Sequence, residues 1–589
     1  MATLKANPLI APIWPAELSY ASPEIRTLPA TDGFIESALR AGGSRLCEPP
    51  CESLPRIARA HTHYALRQGP QSHQLVVQLG DICRGENIRY KEMNFYGQRS
   101  VYEPNAEPMV TLLVLAERSE APGSWMELTR KLYNHLRARG IQGVPVETMD
   151  PRFMQRPKIH PCLPTDAIFP VWTHVATDIF RGIDRTGVFS IGCFRIGNSY
   201  NRMECQPTVL LGVDRKVKRE WKPLKEAIVA ILDRNNLNSV AVTICKDNKI
   251  TRDGGPGDDD IGARVKDCRR DPVLGTSLSP RSLRTARGTL GGWVELLNPQ
   301  KGIWVPFAIA CLHCCFPSED GLSKVDLQVL SDWKKDGVYP QDENKGRLLA
   351  IVSPSYKDMN RAIKSLKAGI EELNSDTKYR QVKDLKDRDE FVMPYQERIW
   401  ANVSKDIRAH EMEHQEMKDL LNSNEHWLGI VFAASGLREV QSTTDPQQLS
   451  IRDWALLPSS ETNRTLMQLQ AFDFDLPEMD QRLFKIGRVT NCTSGTYGVL
   501  KSCNIVRRTV NGAVIHIPTF EHVISHPGHR VVEEGDSRSL VFSANGVVLG
   551  MISSGNGSND LGYFTATKDL LTDIKNITRA KDVRLRYLE

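Results

Sequence analysis

The sequence predicts a multidomain protein with an α+β N-terminal half and an all-β C-terminal part that contains a helical insertion. Two observations carry this prediction. In the first half, one pattern of apolar strands around an amphipathic helix occurs twice, which is typical of duplicated β-β-α-β units. After residue 288, short apolar runs alternate with turn residues, a spacing typical of a barrel or sandwich.

The two copies of the N-terminal pattern are 109–149 and 207–245. Each contains an apolar strand, a polar connection, a tryptophan, an amphipathic helix and a second β-branched strand. The tryptophans are Trp125 and Trp221, and from there to the second strand the copies keep one offset, 221 − 125 = 96 residues. This regularity predicts two small sheets, each with a helix on one face.

A further strand-like run precedes each copy, HQLVVQL at 73–79 and GVFSIGCFRIG at 187–197. Neither copy contains paired carboxylates, a glycine-rich phosphate loop or a metal-ligand spacing. Because repeats mostly serve stacking and burial, we expect this half to be a structural, regulatory or partner-binding module.

Composition excludes several classes of protein. The chain is 40% hydrophobic and 25% charged, which is ordinary for a globular protein, and its net charge of +5 does not call for nucleic acid. No apolar run approaches the roughly 18 residues of a membrane span. The N-terminus has prolines at 8, 12 and 15 instead of a secretory apolar core, and the thirteen cysteines are unevenly spaced. We therefore expect an intracellular protein, cytoplasmic or nuclear, with mostly buried thiols.

The composition also suggests where domains begin and end. TRDGGPGDDD at 251–260 is flexible and acidic, and SPRSLRTARG at 279–288 is basic and poor in apolar residues, so we expect a linker. The predicted divisions are an N-terminal extension (1–70), α+β repeat 1 (71–160), α+β repeat 2 (161–248), a flexible linker (249–287) and a β domain (288–580).

A helical block at about 354–422 interrupts the β domain. Ile363, Leu366, Ile370 and Leu373 recur at heptad-like intervals, and a second, strongly charged helical stretch follows them. This pattern predicts an antiparallel helical hairpin inserted between strands.

The strongest chemical signal is the segment VVEEGDSRSLVF at 531–542. Ser537 follows Gly-Asp and enters an apolar strand, as a nucleophile for acyl transfer would. Gly535 allows a tight turn in which its own N–H and that of Ser537 converge on one point. Such a pair of donors forms an oxyanion hole, worth about 3 kcal/mol per donor.

A hydroxyl nucleophile needs a base, and the base needs an acid to orient it. His313 follows the apolar strand in FAIACLHCC at 307–315, and Asp453 begins the apolar run in IRDWALL at 451–457. The order His, Asp, Ser is that of the chymotrypsin arrangement. In these three blocks the chain resembles the chymotrypsin/trypsin-like serine peptidases, in particular an intracellular, disulfide-free branch. No family is recognised for the N-terminal half.

Other segments extend the resemblance over about 288–575, apart from the helical block. They are similar to the first strand of such peptidases, the opening of their second barrel, the strand lining the substrate cleft, and the last strand with the C-terminal helix. These segments are GTLGGWVEL (288–296), KIGRVTNCTSGTYGVL (485–500), VVLGMISSG (547–555) and LGYFTATKDLLTDI (561–574).

The resemblance implies two six-stranded barrels with the triad between them, and a polypeptide substrate cleaved through an acyl-enzyme. It implies that Ser553 and Gly555 pair with the substrate backbone. Val531 would form the floor of the specificity pocket, with Gly555 and Gly562 on its walls. Since no acid lies at that floor, we expect an apolar residue before the scissile bond. No cofactor and no metal are implied.

Three departures from the family pattern leave a second hypothesis open. Arg538 replaces the glycine that normally follows the nucleophile, and 140 residues separate His313 from Asp453. In addition, the first strand of the β domain offers no cysteine for a disulfide with Cys314, which adjoins the histidine. The alternative is a catalytically dead scaffold that binds protein partners through the helical insertion or the N-terminal repeats.

Two further alternatives concern metals and activation. HEMEH at 410–414 satisfies H-E-x-x-H, yet its helix is charged on nearly every side, so we expect a solvated face. Cys311 and Cys314 form a C-x-x-C without a second pair, a weak zinc signal. Cleavage near Arg284 or Arg287 could create an N-terminus that pairs with Asp536, as in secreted members.

Overall fold

The computed structural model describes most of the chain, and the following concerns those residues alone. They are 34–36, 39–43, 46–47, 51–69, 72–100, 106–118, 125–154, 157–247, 268, 270, 272–284, 288–459, 469, 471–510, 512–533, 535–537, 539–556 and 560–586.

Many short strands in several sheets, together with several helices, make up the described chain. The helices are α1 (Ala65–Gln68), α2 (Ser72–Gly85), α3 (Trp125–Ala138), α4 (Trp172–Gly182), α5 (Lys222–Arg234), α6 (Lys324–Asp336), α7 (Lys345–Leu348), α8 (Tyr356–Ser375), α9 (Thr377–Asp387), α10 (Pro394–Ser423) and α11 (Thr567–Thr578). Within the described ranges, no helix has the length and apolar character needed to cross a membrane.

The strands are numbered along the chain. In the first half they are β1 (Ile35–Glu36), β2 (Arg40–Gly42), β3 (Cys51–Leu54), β4 (Tyr90–Ser100), β5 (Met109–Ala116), β6 (Val146–Met149), β7 (Lys158–His160), β8 (Val188–Gly197), β9 (Gln206–Asp214) and β10 (Ala241–Asp247). In the second half they are β11 (Ser277–Pro280), β12 (Gly288–Thr289), β13 (Gly292–Leu297), β14 (Trp304–Ala310), β15 (Ala350–Val352), β16 (Trp427–Ile430), β17 (Ala433–Ala434), β18 (Arg438–Gln441), β19 (Leu449–Arg452), β20 (Ala455–Pro458), β21 (Ala471–Phe472), β22 (Arg482–Gly487), β23 (Asn491–Val510), β24 (Ala513–Ser525), β25 (Leu540–Ser543), β26 (Val547–Asn556), β27 (Leu561–Ala566) and β28 (Val583–Leu585).

The chain divides into two compact units. The first comprises residues 1–158, 195–212 and 219–246, and the second comprises 159–194, 213–218 and 247–589. The units therefore cut across the predicted second repeat, 161–248, instead of following its boundary.

The first unit contains a six-stranded sheet in the order β1-β2-β6-β5-β4-β3. Only β5 and β6 are parallel in this sheet, because α3 connects them as a crossover. Leu128, Leu132 and Leu136 of α3 are fully buried against the sheet. This spacing of four residues is what a helix needs to cover one face of a sheet.

The prediction of a strand at 73–79 is wrong, because this segment belongs to α2. Leu75, Leu79 and Cys83 are buried on one face of the helix at a four-residue spacing. The seven residues HQLVVQL contain two valines, which favour a strand, and are too few to show the helical period. The strand that precedes β5 is instead β4, which pairs with it in antiparallel register.

Two sets of six strand segments in the second unit each pair in a closed antiparallel ring. The first ring contains β11, β14, β15 and β20 together with two bent segments, β12 with β13 and β16 with β17. The second ring contains β22, β23, β24, β25, β26 and β27. Each ring is filled by its own apolar cluster.

The predicted linker 249–287 is wrong at its C-terminal end, because β11 lies within it and is buried at all four residues. Its polar residues are hydrogen-bonded: Ser277 O accepts a bond from Ser353 Oγ at 2.8 Å, and Ser277 Oγ accepts one from Ser355 N at 3.0 Å. A strand made of two serines, one leucine and one proline lacks the apolar alternation that identifies strands in a sequence.

The helical block consists of three helices, α8, α9 and α10, rather than the two arms predicted. Met359 and Leu366 of α8 share a buried cluster with Met417 and Leu420 of α10. The start of α8 thus packs on the end of α10, so these two helices are antiparallel. Two further helices, α6 and α7, precede the block between β14 and β15 and were not predicted.

Candidate active site

His313 and Asp453 lie together at one end of the first ring. The last residue of β14, Ala310, pairs with the first residue of β20, Ala455, because the strands are antiparallel. His313 lies three residues beyond the first position and Asp453 two residues before the second. Adjacent strand ends therefore bring together two side chains that are 140 residues apart in the sequence.

The carboxylate of Asp453 contacts His313 through both oxygens. Oδ2 lies 2.7 Å from Nδ1 of the imidazole, and Oδ1 accepts a bond from the backbone N–H of His313 at 3.2 Å. The side chains are only 6% and 2% exposed. A carboxylate held in this way places the proton on Nδ1 and leaves Nε2 as the acceptor, the tautomer that a general base requires.

The Nε2 side of the imidazole faces sulfur. Cys311 Sγ is 3.9 Å from His313 Nε2, and ligand atoms of Cys311, His313 and Cys314 lie within 4.8 Å of one another. These three side chains are close together because a short 3-10 turn, His313–Cys315, directly follows the strand β14. This C-x-H-C arrangement was visible in the sequence only as a C-x-x-C without a second pair.

Ser537 lies in the loop between β24 and β25, in the second ring. Gly535 has φ +96°, a conformation that favours glycine. The side chain of Ser537 is half-buried. Neither the N–H of Gly535 nor that of Ser537 donates a hydrogen bond to any other residue that the structure describes. Backbone donors left open in this way suit an anionic oxygen. Arg538 lies outside the described residues.

The loop is anchored by Asp536, whose carboxylate is fully buried. It accepts bonds from Lys485 Nζ at 2.6 Å, Thr490 Oγ1 at 2.6 Å and three backbone N–H groups, those of Glu533, Val489 and Thr490. Burial lowers the pKa of Lys485, and the charge of Asp536 opposes that shift. Lys485 was not singled out from the sequence, since nothing local relates it to a residue 51 positions away.

This ion pair bears on the activation hypothesis. Asp536 already has a buried ammonium partner, so it does not need a newly cut N-terminus. Arg284 is placed with its guanidinium carbon 5.5 Å from the ring centre of Tyr356. Arg287 lies outside the described residues. Cleavage at the predicted linker is therefore not needed to complete the environment of Asp536.

A second buried cation, Arg488, lies against Gly535. Its Nη1 contacts both carboxylate oxygens of Asp358 on α8, at 3.1 and 3.0 Å. Its Nη2 lies 3.0 Å from where a Cβ on Gly535 would be. Neither Nε nor Nη2 of Arg488 has a hydrogen-bond partner among the described residues. The helical insertion thus reaches the serine loop through one ion pair, which the sequence did not reveal.

The strand β12 connects the serine loop to the histidine turn. Thr289 Oγ1 donates a hydrogen bond to the carbonyl of Gly535. At the neighbouring position, Gly288, a Cβ would lie 2.6 Å from Sγ of Cys314. Successive Cα atoms are about 3.8 Å apart, so the loop of Ser537 and the turn of His313 contact adjacent residues of one strand. Among described residues, no hydrogen bond joins His313 to Ser537.

The residues predicted to form the specificity pocket are brought together, but the space between them is filled. Gly555 and Gly562 pair across β26 and β27. A Cβ on either glycine would lie 2.9 or 2.8 Å from a methyl group of Val532, and one on Gly562 would lie 3.7 Å from Val531. Val531 and Val532 are both buried. The methyl groups of Val532, which was not predicted, therefore lie against both glycine walls of the predicted pocket.

Ser553 lies at an irregularity of β26. The register with β27 shifts between Ile552 and Ser554, so Ser553 is an extra residue on its strand. Its hydroxyl donates to the carbonyl of Tyr563 at 3.2 Å. A bulge of this kind re-aims the backbone locally, which suits an edge that receives a substrate strand.

The rival motif at 410–414 lies on α10. His410 and His414 are half-buried, whereas the three residues between them are exposed. His410 Nδ1 contacts the carbonyl of Asp406 at 2.8 Å. In the described part of the chain, the three-residue group with metal-ligand geometry is at Cys311, His313 and Cys314, and not on this helix.

All thirteen cysteines are described, and none of them forms a disulfide. Eleven are buried, and Cys492 is exposed. The expectation of mostly buried thiols is therefore confirmed for this structure.

Comparison with known proteins gives structural likenesses only. No protein-family model matches the sequence, and no curated protein matches it significantly. Among solved structures, the matches include trypsin- and chymotrypsin-like serine proteases. Nocardiopsis protease is 10% identical, with a TM-score of 0.22 and coverage of 53% of this chain and 98% of its own. Cellulomonas bogoriensis chymotrypsin is 16% identical, with a TM-score of 0.16 and coverage of 24% and 79%.

The active form of the Rv3671c protease from M. tuberculosis is 15% identical, with a TM-score of 0.16. The alignment covers 22% of this chain and 55% of that protease. Superpositions this loose do not establish a shared fold, so the functional proposal rests on the contacts of the chain's own residues.

Proposed function

We propose that this protein is a serine endopeptidase that uses His313, Asp453 and Ser537. The observation that carries the proposal is the contact between His313 and Asp453, 2.7 Å between Nδ1 and Oδ2. Buried carboxylate–imidazole pairs of this geometry orient a general base. A base so oriented serves catalysis only if a nucleophile lies on its other side.

Ser537 is the nucleophile that the chain offers. Its loop and the histidine turn contact neighbouring residues of β12, which supports their meeting in one groove. The two closed rings of six strands support the double barrel implied by the sequence resemblance. In that arrangement His313 and Asp453 come from one barrel and Ser537 from the other.

In the proposed reaction, Ser537 Oγ attacks the peptide carbonyl carbon while Nε2 of His313 accepts the hydroxyl proton. The N–H groups of Gly535 and Ser537 stabilise the anionic oxygen of the tetrahedral intermediate. His313 then protonates the leaving amine. In the second half of the reaction, His313 accepts a proton from water, which attacks the acyl group, and then returns a proton to Ser537 Oγ. Asp453 remains ionised and holds the imidazole throughout.

The proposed specificity is for a small apolar residue before the scissile bond. Val531, Gly555 and Gly562 surround the pocket and provide no charge to pair with Lys or Arg. Because Val532 occupies this space, its side chain must move aside before any substrate side chain can enter. Ser553 and Gly555 would pair with the substrate backbone along β26.

The N-terminal half and the helical insertion are proposed to bind protein partners. The connection between α9 and α10 and the first turn of α10 carry three exposed apolar residues, Phe391, Met393 and Tyr395, exposed by 83, 51 and 58%. Which partner they would contact stays open, and nucleic acid and membrane partners are not proposed. Placement in the cytoplasm or nucleus stays a prediction.

A catalytically dead scaffold is the second candidate function. Two observations favour it: Val532 fills the pocket, and no hydrogen bond joins His313 to Ser537 in the described chain. Neither observation removes a catalytic group, since the imidazole of His313, the carboxylate of Asp453 and the hydroxyl of Ser537 are all present. Apo enzymes often show long or poorly aligned catalytic contacts.

The two functions can be separated by labelling the purified full chain with a fluorophosphonate in the presence of a chelator. We expect one label per chain, located by mass spectrometry on the peptide that contains Ser537. The Ser537→Ala and His313→Ala variants should not react. Ser331→Ala, which alters an exposed serine of α6, should react like the wild type. A folded wild-type protein that does not react would contradict the endopeptidase and favour the scaffold.

A further inference from the structure

The side of the imidazole that faces away from Asp453 carries a second set of chemical groups. Ligand atoms of Cys311, His313 and Cys314 lie within 4.8 Å of one another, and Sγ of Cys311 is 3.9 Å from Nε2 of His313. In a tetrahedral zinc site, a sulfur and a nitrogen ligand are separated by about 3.6 Å, from bond lengths of about 2.3 and 2.1 Å. The pair of Cys311 and His313 is therefore within about 0.3 Å of that separation, and the remaining ligand atoms approach it by a shift of about 1 Å or less.

The contact between His313 and Asp453 also favours a metal ion. A histidine that ligates a metal through one ring nitrogen usually donates its other N–H to a carboxylate or carbonyl. Here Nδ1 is held by Asp453 Oδ2 at 2.7 Å, so Nε2 is the nitrogen that can face a metal ion. The hydrogen bond that prepares a general base thus prepares a zinc ligand as well.

The composition of the set favours zinc over magnesium and calcium. Thiolates are soft ligands and imidazole is intermediate, whereas magnesium and calcium prefer oxygen. Two sulfurs and one nitrogen leave the fourth tetrahedral position for water or another donor. The group is largely buried, with Cys311 fully buried and Cys314 8% exposed. Few competing ligands can therefore reach it.

We propose that Cys311, His313 and Cys314 bind one Zn²⁺ ion, and that this ion blocks the protein's hydrolytic activity by occupying Nε2. The binding site stands on geometry alone, whereas its inhibitory effect rests on the proposed function. While zinc holds Nε2, the imidazole cannot accept the proton of Ser537. When zinc is removed, Nε2 of His313 can again accept a proton. The cluster makes the candidate catalytic histidine responsive to the available zinc.

Metal binding can be measured without any activity. The full chain is reduced, freed of metal with a chelator and titrated with Zn²⁺ against a chromophoric indicator, and separately with Co²⁺. We expect one equivalent of Zn²⁺ per chain and a thiolate-to-cobalt charge-transfer absorption. Cys311→Ser and Cys314→Ser should each weaken that absorption and lower zinc affinity by about tenfold or more, because each removes a ligand. Cys492→Ser, which alters the exposed cysteine, should change neither.

Two further variants keep the test decisive. Asp453→Asn retains all three ligands and should lower zinc affinity by about 10- to 100-fold, because it alters only the group behind the histidine. His526→Ala removes a competing place for a metal, since the rings of His526 and His529 are stacked 3.4 Å apart. Circular dichroism establishes that each variant is folded. The proposal is overturned if the wild type binds no zinc, or if binding survives both cysteine variants and is lost in His526→Ala.

The inhibitory effect is tested by repeating the fluorophosphonate labelling with zinc and then with excess chelator. Zinc should stop labelling of the wild type, chelator should restore it, and Cys492→Ser should behave in the same way. Zinc binding without labelling under any condition would support the metal site and contradict the peptidase. Labelling that proceeds with zinc bound would overturn the inhibitory effect.

Discussion

Both oxygens of Asp453 contact His313, one at the ring nitrogen and one at the backbone N–H. This double contact fixes the position of the imidazole as well as its tautomer. Asp453 is 5% exposed, so water does not replace these contacts easily. The orientation of the proposed general base, His313, therefore depends on one carboxylate.

Replacing Asp453 with asparagine tests this dependence. Asp453→Asn keeps the shape of the side chain but can reverse the tautomer, and we expect kcat for peptide hydrolysis to fall by about 10⁴-fold. The rate of fluorophosphonate labelling should fall in parallel, while the melting temperature changes little. A variant with a normal labelling rate would show that Asp453 does not orient the base.

Lys485 is the second residue on which the site depends. Its ammonium pairs with Asp536, and the two side chains are 1% and 0% exposed. Lys485→Met should destabilise the protein by about 3–5 kcal/mol, because a buried carboxylate then loses its counter-charge. Ser537 should also label more slowly at temperatures where the variant is folded. Urea denaturation gives the free energy of unfolding.

Lys575→Met is the matched control. This lysine pairs with Asp582 at 2.7 Å, but the side chains are 33% and 51% exposed. Exposed pairs contribute about 0–1 kcal/mol, so the variant should be nearly as stable as the wild type. Equal losses in the two lysine variants would contradict a special role for the buried pair.

The individual residues that the sequence identified are those with a local signature. His313 and Asp453 adjoin apolar strands, and Ser537 follows Gly-Asp. Lys485 and Arg488 have no such signature, because their partners Asp536 and Asp358 are 51 and 130 positions away. Pairing of this kind becomes visible only once the chain has folded.

Among the elements, α8 is tied to the serine loop by the pair of Asp358 and Arg488. The two side chains are 2% and 3% exposed, and the guanidinium group lies against Gly535. An insertion that was predicted only as a hairpin for partners therefore contributes a charge next to the site.

The variant Asp358→Asn should leave the Arg488 cation without its partner. We expect a loss of about 3–5 kcal/mol in the free energy of unfolding, together with slower labelling of Ser537. Glu371→Gln, on the exposed face of the same helix, should alter neither quantity measurably. If Asp358→Asn is as stable as Glu371→Gln, the helical block is not coupled to the loop.

Val532 tests the account of specificity. Val532→Ala removes the two methyl groups that lie beside Gly555 and Gly562, at a cost of about 2 kcal/mol in stability. We expect kcat/KM to rise for peptides with a larger apolar residue before the scissile bond and to change less for those with alanine. Peptide libraries read by mass spectrometry measure both. An unchanged preference would place the specificity pocket elsewhere.

The elements also show where sequence patterns mislead. α2 was predicted as a strand because seven residues are too few to display a period of 3.6, and β11 was hidden in a polar segment. With α2 and α4 included, both N-terminal copies have the order helix, strand, strand, helix, strand. Corresponding strands and the second helix begin at a near-constant spacing: 188 − 90 = 98, 206 − 109 = 97, 222 − 125 = 97 and 241 − 146 = 95. This spacing supports the duplication, which stays a prediction.

For the molecule as a whole, the burial of His522 makes the free energy of unfolding depend on pH. It is buried inside the second ring, and its Nδ1 lies 2.8 Å from the hydroxyl of Tyr497. Burial, and to a smaller extent the charge of Lys501, lowers the pKa of His522 from 6.5 to about 3. The folded protein therefore keeps this imidazole neutral, whereas the unfolded chain protonates it below about pH 6.5.

Stability should consequently fall as the pH decreases from about 6.5 towards 3. The unfolded state binds one more proton than the folded state in this range, which costs about 1.5 kcal/mol between pH 6.5 and 5. His522→Phe should flatten this part of the pH profile, and His174→Gln, which alters an exposed histidine, should not. Urea titrations at several pH values measure the slope. A slope that His522→Phe leaves unchanged would contradict the assignment.

Architecture at this scale was predicted in outline only. Alternating short apolar runs predicted an all-β C-terminal part, and the structure has many short strands there in several sheets. Two six-stranded barrels were expected only from the family resemblance, and the pairing of β11 with β15 was not predicted, because non-local partners leave no periodic trace in the sequence.

His313, Asp453 and Ser537 are proposed to act as one unit, and a crystal structure of the fluorophosphonate-labelled, zinc-free protein would show whether they do. We expect phosphorus bonded to Ser537 Oγ, with the phosphonyl oxygen about 2.7–3.1 Å from the N–H groups of Gly535 and Ser537. His313 Nε2 should lie within about 3.2 Å of an oxygen of the adduct, while Nδ1 remains on Asp453. An adduct on another residue, or an imidazole turned away from it, would contradict the proposal.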